Sequence, residues 1–80
     1  MKHIILLKPA EKYLNKQPSQ LAARILLAIY RLPKGDVKAL QGTKDIFRLR
    51  VGDVRVIFAA GDDQFVIRDI DSRGDVYKSL

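Results

Sequence analysis

An alternation of apolar and basic residues around one glycine constrains the fold of this 80-residue chain more than any other feature. In the segment "IFRLRV", Phe47, Leu49 and Val51 alternate with Arg48 and Arg50. Because successive side chains of a strand point to opposite faces, the segment predicts a strand with an apolar core face and a basic outer face. Gly52 supplies the positive φ of a two-residue turn, so residues 54–59 are expected to return as a second, antiparallel strand.

The hairpin arginines Arg48, Arg50 and Arg55 would share the sheet face opposite the core. Guanidinium groups are planar, stay charged and match phosphate oxygens with two parallel hydrogen bonds. Such a cluster suits an RNA backbone, or the negative charge that builds on a phosphoryl group in a transition state. The alternative is a solvated structural face whose arginines form salt bridges, with Asp69, Asp71 or Asp75 as the partners.

The first half of the chain predicts a strand and two helices. Residues 2–8 form an apolar run bracketed by charge, which is typical of a strand buried on both faces. Pro9 and Pro18 each suit the first position of a helix, because proline lacks the N–H that is unsatisfied there. Pro33 and Gly35 end the second helix.

The second helix carries a broad apolar stripe at 100° per residue, formed by Leu21, Ala22, Ile25, Leu26, Ala28, Ile29 and Leu32. Gln20, Arg24 and Arg31 lie on the opposite side, and Leu27 projects into the middle of them. A single exposed leucine needs no explanation. The sharper hypothesis is that Leu27, Arg24 and Arg31 contact a protein partner.

Residues 33–45 are interpreted as a basic loop anchored by Val37 and Leu40, and "FVIRDID" as a third strand. The predicted fold class is therefore α+β: an N-terminal strand, a two-helix hairpin and a three-stranded antiparallel meander, with the helices packed on one face of the sheet. Residues 1–80 are expected to form a single domain.

Composition narrows the possible functions. With no cysteine, neither a disulfide nor a thiolate zinc site can stabilise the chain. The net charge of +6 favours a polyanion or an acidic protein as partner, although solubility alone could account for it. The apolar run "IILL" is too short for a signal peptide or a membrane span, so we expect a cytoplasmic protein without a membrane partner.

Two segments, "LQGTKDIFRLRVGDVRVIF" and "DIDSRGDVYK", closely resemble the RelE/ParE superfamily of toxins from type II toxin–antitoxin pairs. The resemblance covers about residues 37–78, including the leucine–x–glycine segment at Leu40 to Gly42. It implies a RelE-like toxin domain. RelE-type members are ribosome-dependent endoribonucleases that cut mRNA by attack of a ribose 2′-hydroxyl on the adjacent phosphate, without a metal or other cofactor.

The resemblance also implies roles for individual residues. Arg48 and Arg50 would hold the RNA together with Lys44, Arg55 would stabilise the transition state, Arg73 would assist the leaving 5′-oxygen and Tyr77 would position or stack the substrate. The implied partners are a cognate antitoxin, the ribosome and mRNA, with operator DNA bound only through the antitoxin. We expect the antitoxin to lay an acidic amphipathic helix near Leu27 and the basic sheet face.

One departure from the family pattern bears on catalysis. Many relatives have histidine just before the final arginine, where this chain has Ser72, and the sole histidine is His3 in the first strand. Arginine is a poor general base, so proton transfer would fall to ribosomal RNA, water or Tyr77. Two alternatives stay open: a ParE-like inhibitor of DNA gyrase, and a catalytically weak homologue that acts as a binding module.

Overall fold

The structure is a computed structural model that describes residues 2–72. Its elements follow the order β1 (His3–Leu6), α1 (Lys8–Asn15), α2 (Ser19–Tyr30), β2 (Asp36–Ala39), β3 (Ile46–Val51), β4 (Val54–Ala60) and β5 (Gln64–Asp71). The strands form one five-stranded sheet in the order β1-β5-β4-β3-β2. All neighbouring strands are antiparallel except β1, which runs parallel to β5. The predicted α+β class is confirmed.

The β3–β4 hairpin forms as the alternation predicts. Val51 pairs with Val54 across a two-residue turn, and Gly52 has a φ of 60°. A left-handed backbone at this position is why glycine suits the turn. The second turn also forms, because the N–H of Gly61 donates to the carbonyl oxygen of Gln64 at 2.8 Å and closes β4 onto β5.

The two helices begin close to the predicted prolines. Pro9 lies in the first turn of α1, and Pro18 immediately precedes α2. The apolar stripe of α2 faces the core, with Ile25 and Ile29 fully buried at its centre. The predicted orientation of this helix is therefore confirmed.

One hydrophobic core lies between the helices and one face of the sheet. Its buried members are Ala10, Leu14, Ile25, Ile29, Leu49, Val54, Val56, Phe58, Phe65, Ile67 and Ile70. Phe58 stacks on Phe47 and meets Phe65 edge-on, with ring centroids 5.6 Å apart in both pairs. These contacts join β3, β4 and β5 through their side chains, so the aromatic row fixes the core face of the hairpin.

Two sequence predictions about the sheet are wrong. The first strand is not buried on both faces, because β1 lies at the edge of the sheet and Ile5 is 40% exposed. Residues 33–45 are not a loop throughout, because they include β2, which pairs with β3 and forms the other edge. The predicted three-stranded meander is thus the inner part of a larger, mixed sheet.

Candidate nucleic-acid interface

The sheet face turned away from the helices carries the predicted arginines, and we call it the arginine face: Arg48, Arg50 and Arg55 with the strand positions around them. Arg50 and Arg55 are directly opposite each other in the β3–β4 register. Side chains paired in this way have Cβ atoms roughly 5 Å apart. The hairpin therefore brings two guanidinium groups together, as its sequence predicts.

Arg48 is held by a residue that the sequence analysis did not include. Its Nη1 donates to the backbone carbonyl oxygen of Asp36 at 3.2 Å and forms an ion pair with Oδ1 of the same residue at 3.3 Å. Only 13% of the Arg48 side chain is exposed. This contact ties the edge strand β2 to β3, so Arg48 is part of the sheet structure as well as part of the arginine face.

Arg50 and Arg55 are held more loosely than Arg48. The Nε of Arg50 donates to the carbonyl oxygen of Gly52 at 3.2 Å, which turns its side chain toward the hairpin. Within residues 2–72, neither guanidinium takes part in an ion pair. Like charges directly opposite on a sheet repel one another. On their outer sides, Arg50 lies opposite Asp36 and Arg55 lies opposite Asp71, so the positive charge of the pair is only partly balanced within the sheet.

The acidic residues predicted as structural partners have different positions. Asp71 occupies the β5 position opposite Arg55, and Asp69 lies opposite Ile57. The carboxylate of Asp69 accepts a hydrogen bond from the backbone N–H of Ile70 at 2.9 Å. Asp75 lies outside the described residues.

The burial of Ile57 is a further feature of the arginine face. It lies on the arginine face, between Arg48 and Asp69 in the strand register, yet it is fully buried. Arginine side chains can cover apolar surface with their methylene stems while the charged head stays in water. In the alternation of β4, Ile57 is apolar at a position that shares a face with Arg55, and this is the sequence signal that the arginine face is not purely polar.

The remaining candidates for RNA chemistry are spread widely. Lys44 is exposed in the β2–β3 loop, just before β3 begins at Ile46. Arg50 lies near the other end of β3, roughly 13 Å along the strand from Ile46. His3 pairs with Gln64, at the far end of β5 from Asp71. The structure therefore does not bring Lys44 or His3 together with the arginine pair.

The C-terminal part of the predicted site is only partly described. Ser72 follows Asp71 directly, so the position where many relatives have histidine lies one residue beyond the β5 partner of Arg55. Arg73 and Tyr77 lie outside the described residues. In residues 2–72, no group of His, Cys, Asp or Glu side chains is arranged to hold a metal ion.

The predicted partner residues form a surface on α2. Leu27 is 52% exposed, and Arg24 and Arg31 are exposed on the same side of the helix. Arg24 also reaches the hairpin, since its Nη2 lies 3.9 Å from where a Cβ on Gly52 would be.

No helix in the described part of the chain has the length and apolar character needed to cross a membrane.

Comparison by sequence finds neither a protein-family model nor a curated protein that matches this chain. Solved structures do match. The RelB–RelE antitoxin–toxin complex from Methanococcus jannaschii contains a chain that is 24% identical, with a TM-score of 0.76 over 95% of this chain and 98% of that one. The archaeal RelE–RelB complex from Pyrococcus horikoshii OT3 matches at 28% identity and a TM-score of 0.72, over 91% and 96% of the two chains.

A more distant match shows how far the fold extends. The intact RelBE toxin–antitoxin complex of E. coli contains a chain that is only 14% identical, yet its TM-score is 0.71 over 88% of this chain and 94% of that one. The same order of strand, two helices and antiparallel strands therefore persists where few side chains are shared. Covered almost end to end by these structures, the chain has a RelE-like fold.

Proposed function

We propose that this protein is the toxin of a type II toxin–antitoxin pair, and that it cleaves mRNA on the ribosome in the cytoplasm. One observation carries the proposal: a RelE-like sheet displays Arg50 and Arg55 side by side on its open face without ion pairs among residues 2–72. Solved structures with this fold include the toxin-containing RelB–RelE complexes of Methanococcus jannaschii and Pyrococcus horikoshii OT3. A cognate antitoxin is accordingly the proposed protein partner.

The chemistry needs the RNA itself, cationic groups beside the reacting phosphate, and groups that remove one proton and supply another. The 2′-oxygen of one ribose attacks the adjacent phosphorus, the bond to the 5′-oxygen of the next nucleotide breaks, and a 2′,3′-cyclic phosphate remains. Negative charge increases on the phosphoryl oxygens as the new bond forms. Two guanidinium groups fixed on neighbouring strands stabilise that charge, because they stay protonated and need little rearrangement.

The arginines have different roles in this proposal. Arg55 and Arg50 contact the reacting phosphate, while Arg48, held by Asp36, orients the neighbouring backbone. Arg73 and Tyr77 assist the leaving oxygen and position the substrate. The 2′-hydroxyl must lose a proton and the 5′-oxygen must gain one. With serine at position 72, ribosomal RNA, water or Tyr77 carries these protons, and we expect a slow chemical step.

The test is primer extension on an mRNA in a purified translation system, with the protein added and with ribosomes present or omitted. Cuts that require ribosomes are expected. Arg55→Ala should lower the cleavage rate about 10²–10³-fold, the usual effect of removing one group that stabilises transition-state charge. Lys12→Ala is the control, since it removes one positive charge from an exposed position on α1 and should leave the rate unchanged.

The alternatives give distinct results in the same preparation. Folded protein that makes no cuts but inhibits supercoiling by purified gyrase would replace the proposal with a ParE-like activity. Protein that does neither, and arrests no growth when it is expressed, would be a binding module. Equal cleavage by the wild type and Arg55→Ala would leave the nuclease assignment standing and remove Arg55 from the site.

A further inference from the structure

Two apolar cavities adjoin one another beside the segment that connects α2 to β2, on the helix side of the sheet. The larger has a volume of about 650 Å³ and the smaller a volume of about 160 Å³. Lys2, Pro33 and Phe65 line both of them, so the two cavities share one boundary. We call the two cavities together the aromatic groove. It lies on the opposite side of the sheet from the arginine face.

The smaller cavity has the size and the walls for one aromatic ring. Phe47, Phe58 and Phe65 form its aromatic wall, and Val37 and Ala60 add aliphatic surface. A cavity of about 150 Å³ lined by aliphatic and aromatic side chains is large enough to hold benzene. Aromatic rings also gain from offset and edge-to-face contacts with one another. A flat six-membered ring is therefore the group that this cavity fits.

Lys2 gives the aromatic groove a single positive charge. Its Nζ donates to the carbonyl oxygen of Gly61 at 3.0 Å and lies 4.6 Å from the centroid of the Phe65 ring. No acidic residue lines either cavity, and among residues 2–72 no carboxylate is paired with Lys2. Asp62 and Asp63 are exposed in the neighbouring β4–β5 turn, outside the lining.

The position of this ammonium favours a small monoanion. An ammonium has three N–H donors, so Lys2 keeps donors for a ligand after its bond to Gly61. One carboxylate is neutralised by one ammonium. A phosphate dianion is only half neutralised by it, and the arginine forks that match phosphate oxygens lie on the other face of the sheet. A cationic ligand is repelled by Lys2.

The larger cavity provides space for the rest of the ligand. Its volume lies within the range of about 300–1,000 Å³ that is typical of small-molecule sites. Tyr30, which is 68% exposed, stands at its outer wall, and Ile4 contributes aliphatic surface. Such sites are mostly apolar with a small number of polar groups that fix the orientation of the ligand. In the aromatic groove, the charged group is Lys2.

We propose that the aromatic groove binds a small aromatic carboxylate, with the ring in the smaller cavity and the carboxylate on Lys2. Substituents on the ring or its side chain occupy the larger cavity beside Tyr30. The inference does not rest on the proposed function, because none of the arginines of the arginine face lines the aromatic groove. Its test accordingly measures binding and not cleavage.

The experiment is a titration of the ¹⁵N-labelled full chain with 3-phenylpropanoate. The amides of Val37, Ala60 and Phe65 should shift, with a dissociation constant of about 1 mM, as expected for a ligand of this size. Two probes with the same ring serve as charge controls. The neutral 3-phenylpropanamide should bind about two- to fivefold more weakly, and the cationic 3-phenylpropylammonium at least about fivefold more weakly.

A matched pair of substitutions on β4 tests the smaller cavity. Ala60→Leu fills part of it and should weaken binding of 3-phenylpropanoate at least about tenfold. Ala59→Leu makes the same substitution at the next position, which faces the other side of the sheet and lines neither cavity. It should change the affinity less than about twofold.

A second pair tests Lys2 and keeps the experiment decisive if Ala60→Leu fails to fold. Lys2→Met keeps an unbranched apolar stem and removes the charge, so the carboxylate and the amide should bind equally well. Lys2→Arg keeps the charge and should retain the preference for the carboxylate. A merely structural role of Lys2 would change the affinity for all three probes alike and leave their order unchanged.

Four results would overturn the proposal. These are equal binding of the three probes by the wild type, equal losses in Ala60→Leu and Ala59→Leu, shifts confined to the arginine face, and no shift at about 10 mM 3-phenylpropanoate. Nuclear Overhauser contacts between the Phe65 ring and residues 73–80 in the free chain would assign the aromatic groove to the chain's own C-terminal segment, and would overturn the proposal as well.

Discussion

Arg48 and Arg55 lie diagonally from each other on the arginine face, and replacing Arg48 should affect mainly stability, whereas replacing Arg55 should affect mainly cleavage. Arg48→Ala removes a hydrogen bond to a backbone carbonyl, an ion pair and a largely buried stem. Hydrogen bonds that involve a charged group contribute about 1.5–3 kcal/mol. Because Asp36 is 56% exposed, the ion pair itself adds at most about 1 kcal/mol. The stabilisation from the whole contact is therefore expected near the low end of the range for charged hydrogen bonds.

We therefore expect Arg48→Ala to lower the free energy of unfolding by about 1–2 kcal/mol. The free energy of unfolding of a small domain is only about 5 kcal/mol, so a decrease of this size is easily measured. With a urea m-value of about 1 kcal/mol/M, the unfolding midpoint should fall by at least about 1 M. Cleavage should fall less than about tenfold, because the Arg48 guanidinium is already engaged by Asp36.

Arg55→Gln should behave in the opposite way. It removes a charge that lies between Arg50 on one neighbouring strand and Asp71 on the other, so the repulsion relieved and the attraction lost largely cancel, and stability should change by no more than a few tenths of a kcal/mol. That small change should shrink as salt is added, because both interactions are screened. Cleavage should nevertheless fall about 10²–10³-fold.

The assays are urea unfolding followed by circular dichroism and primer extension on ribosomes, made on the same preparations. Asp36→Asn serves as the control for the Arg48 contact. It retains the backbone carbonyl and should cost less than about 1 kcal/mol. A stable Arg48→Ala variant that loses as much cleavage as Arg55→Gln would refute the division of roles, and so would an Arg55→Gln variant that is strongly destabilised.

Three further substitutions test the fold and the site. Phe58→Leu loses two aromatic pairs and should lower the free energy of unfolding by about 1–3 kcal/mol in urea melts. Gly35→Ala should cost more than Gly42→Ala in the same melts, because both glycines have positive φ but only the first would place its Cβ against Leu49. Ser72→His should raise the rate of RNA cleavage, with a pH dependence that the wild type lacks, because imidazole titrates near neutral pH.

The hairpin and the second helix were predictable because each has a strong local period. Five residues of strict alternation followed by Gly52 leave few other conformations, and apolar positions at helical spacing define the buried side of α2. These two elements also determined the arginine face, since alternation alone separates the arginines from the core. The register that pairs Arg50 with Arg55 follows from the length of the turn.

Elements at the sheet edges were harder to predict. The strand β2 has only four residues, and "DVKA" alternates for too short a distance to be separated from a loop. The first strand contains the unbroken apolar run "IIL", which suggested burial on both faces, but its place at the edge leaves Ile5 40% exposed. Edge positions are decided by long-range pairing, which a local pattern does not contain.

The structural contact of Arg48 was missed for the same reason. Asp36 is twelve residues away, and it meets Arg48 only because β2 pairs with β3 in one particular register. Sequence reasoning placed the arginine on the correct face and looked for its partners among the acids of β5 and the C-terminus. The structural partner came from the segment interpreted as a loop, so the error in β2 led directly to the error in the site.

The edge strand β2 therefore determines more of the proposed function than its length suggests. Asp36 holds Arg48 on the arginine face and lies opposite Arg50 in the strand register. Loss of the β2–β3 pairing would therefore release Arg48 and remove the carboxylate opposite Arg50 at the same time. Four residues at the edge of the sheet thus set both the position of one arginine and the charge balance around another.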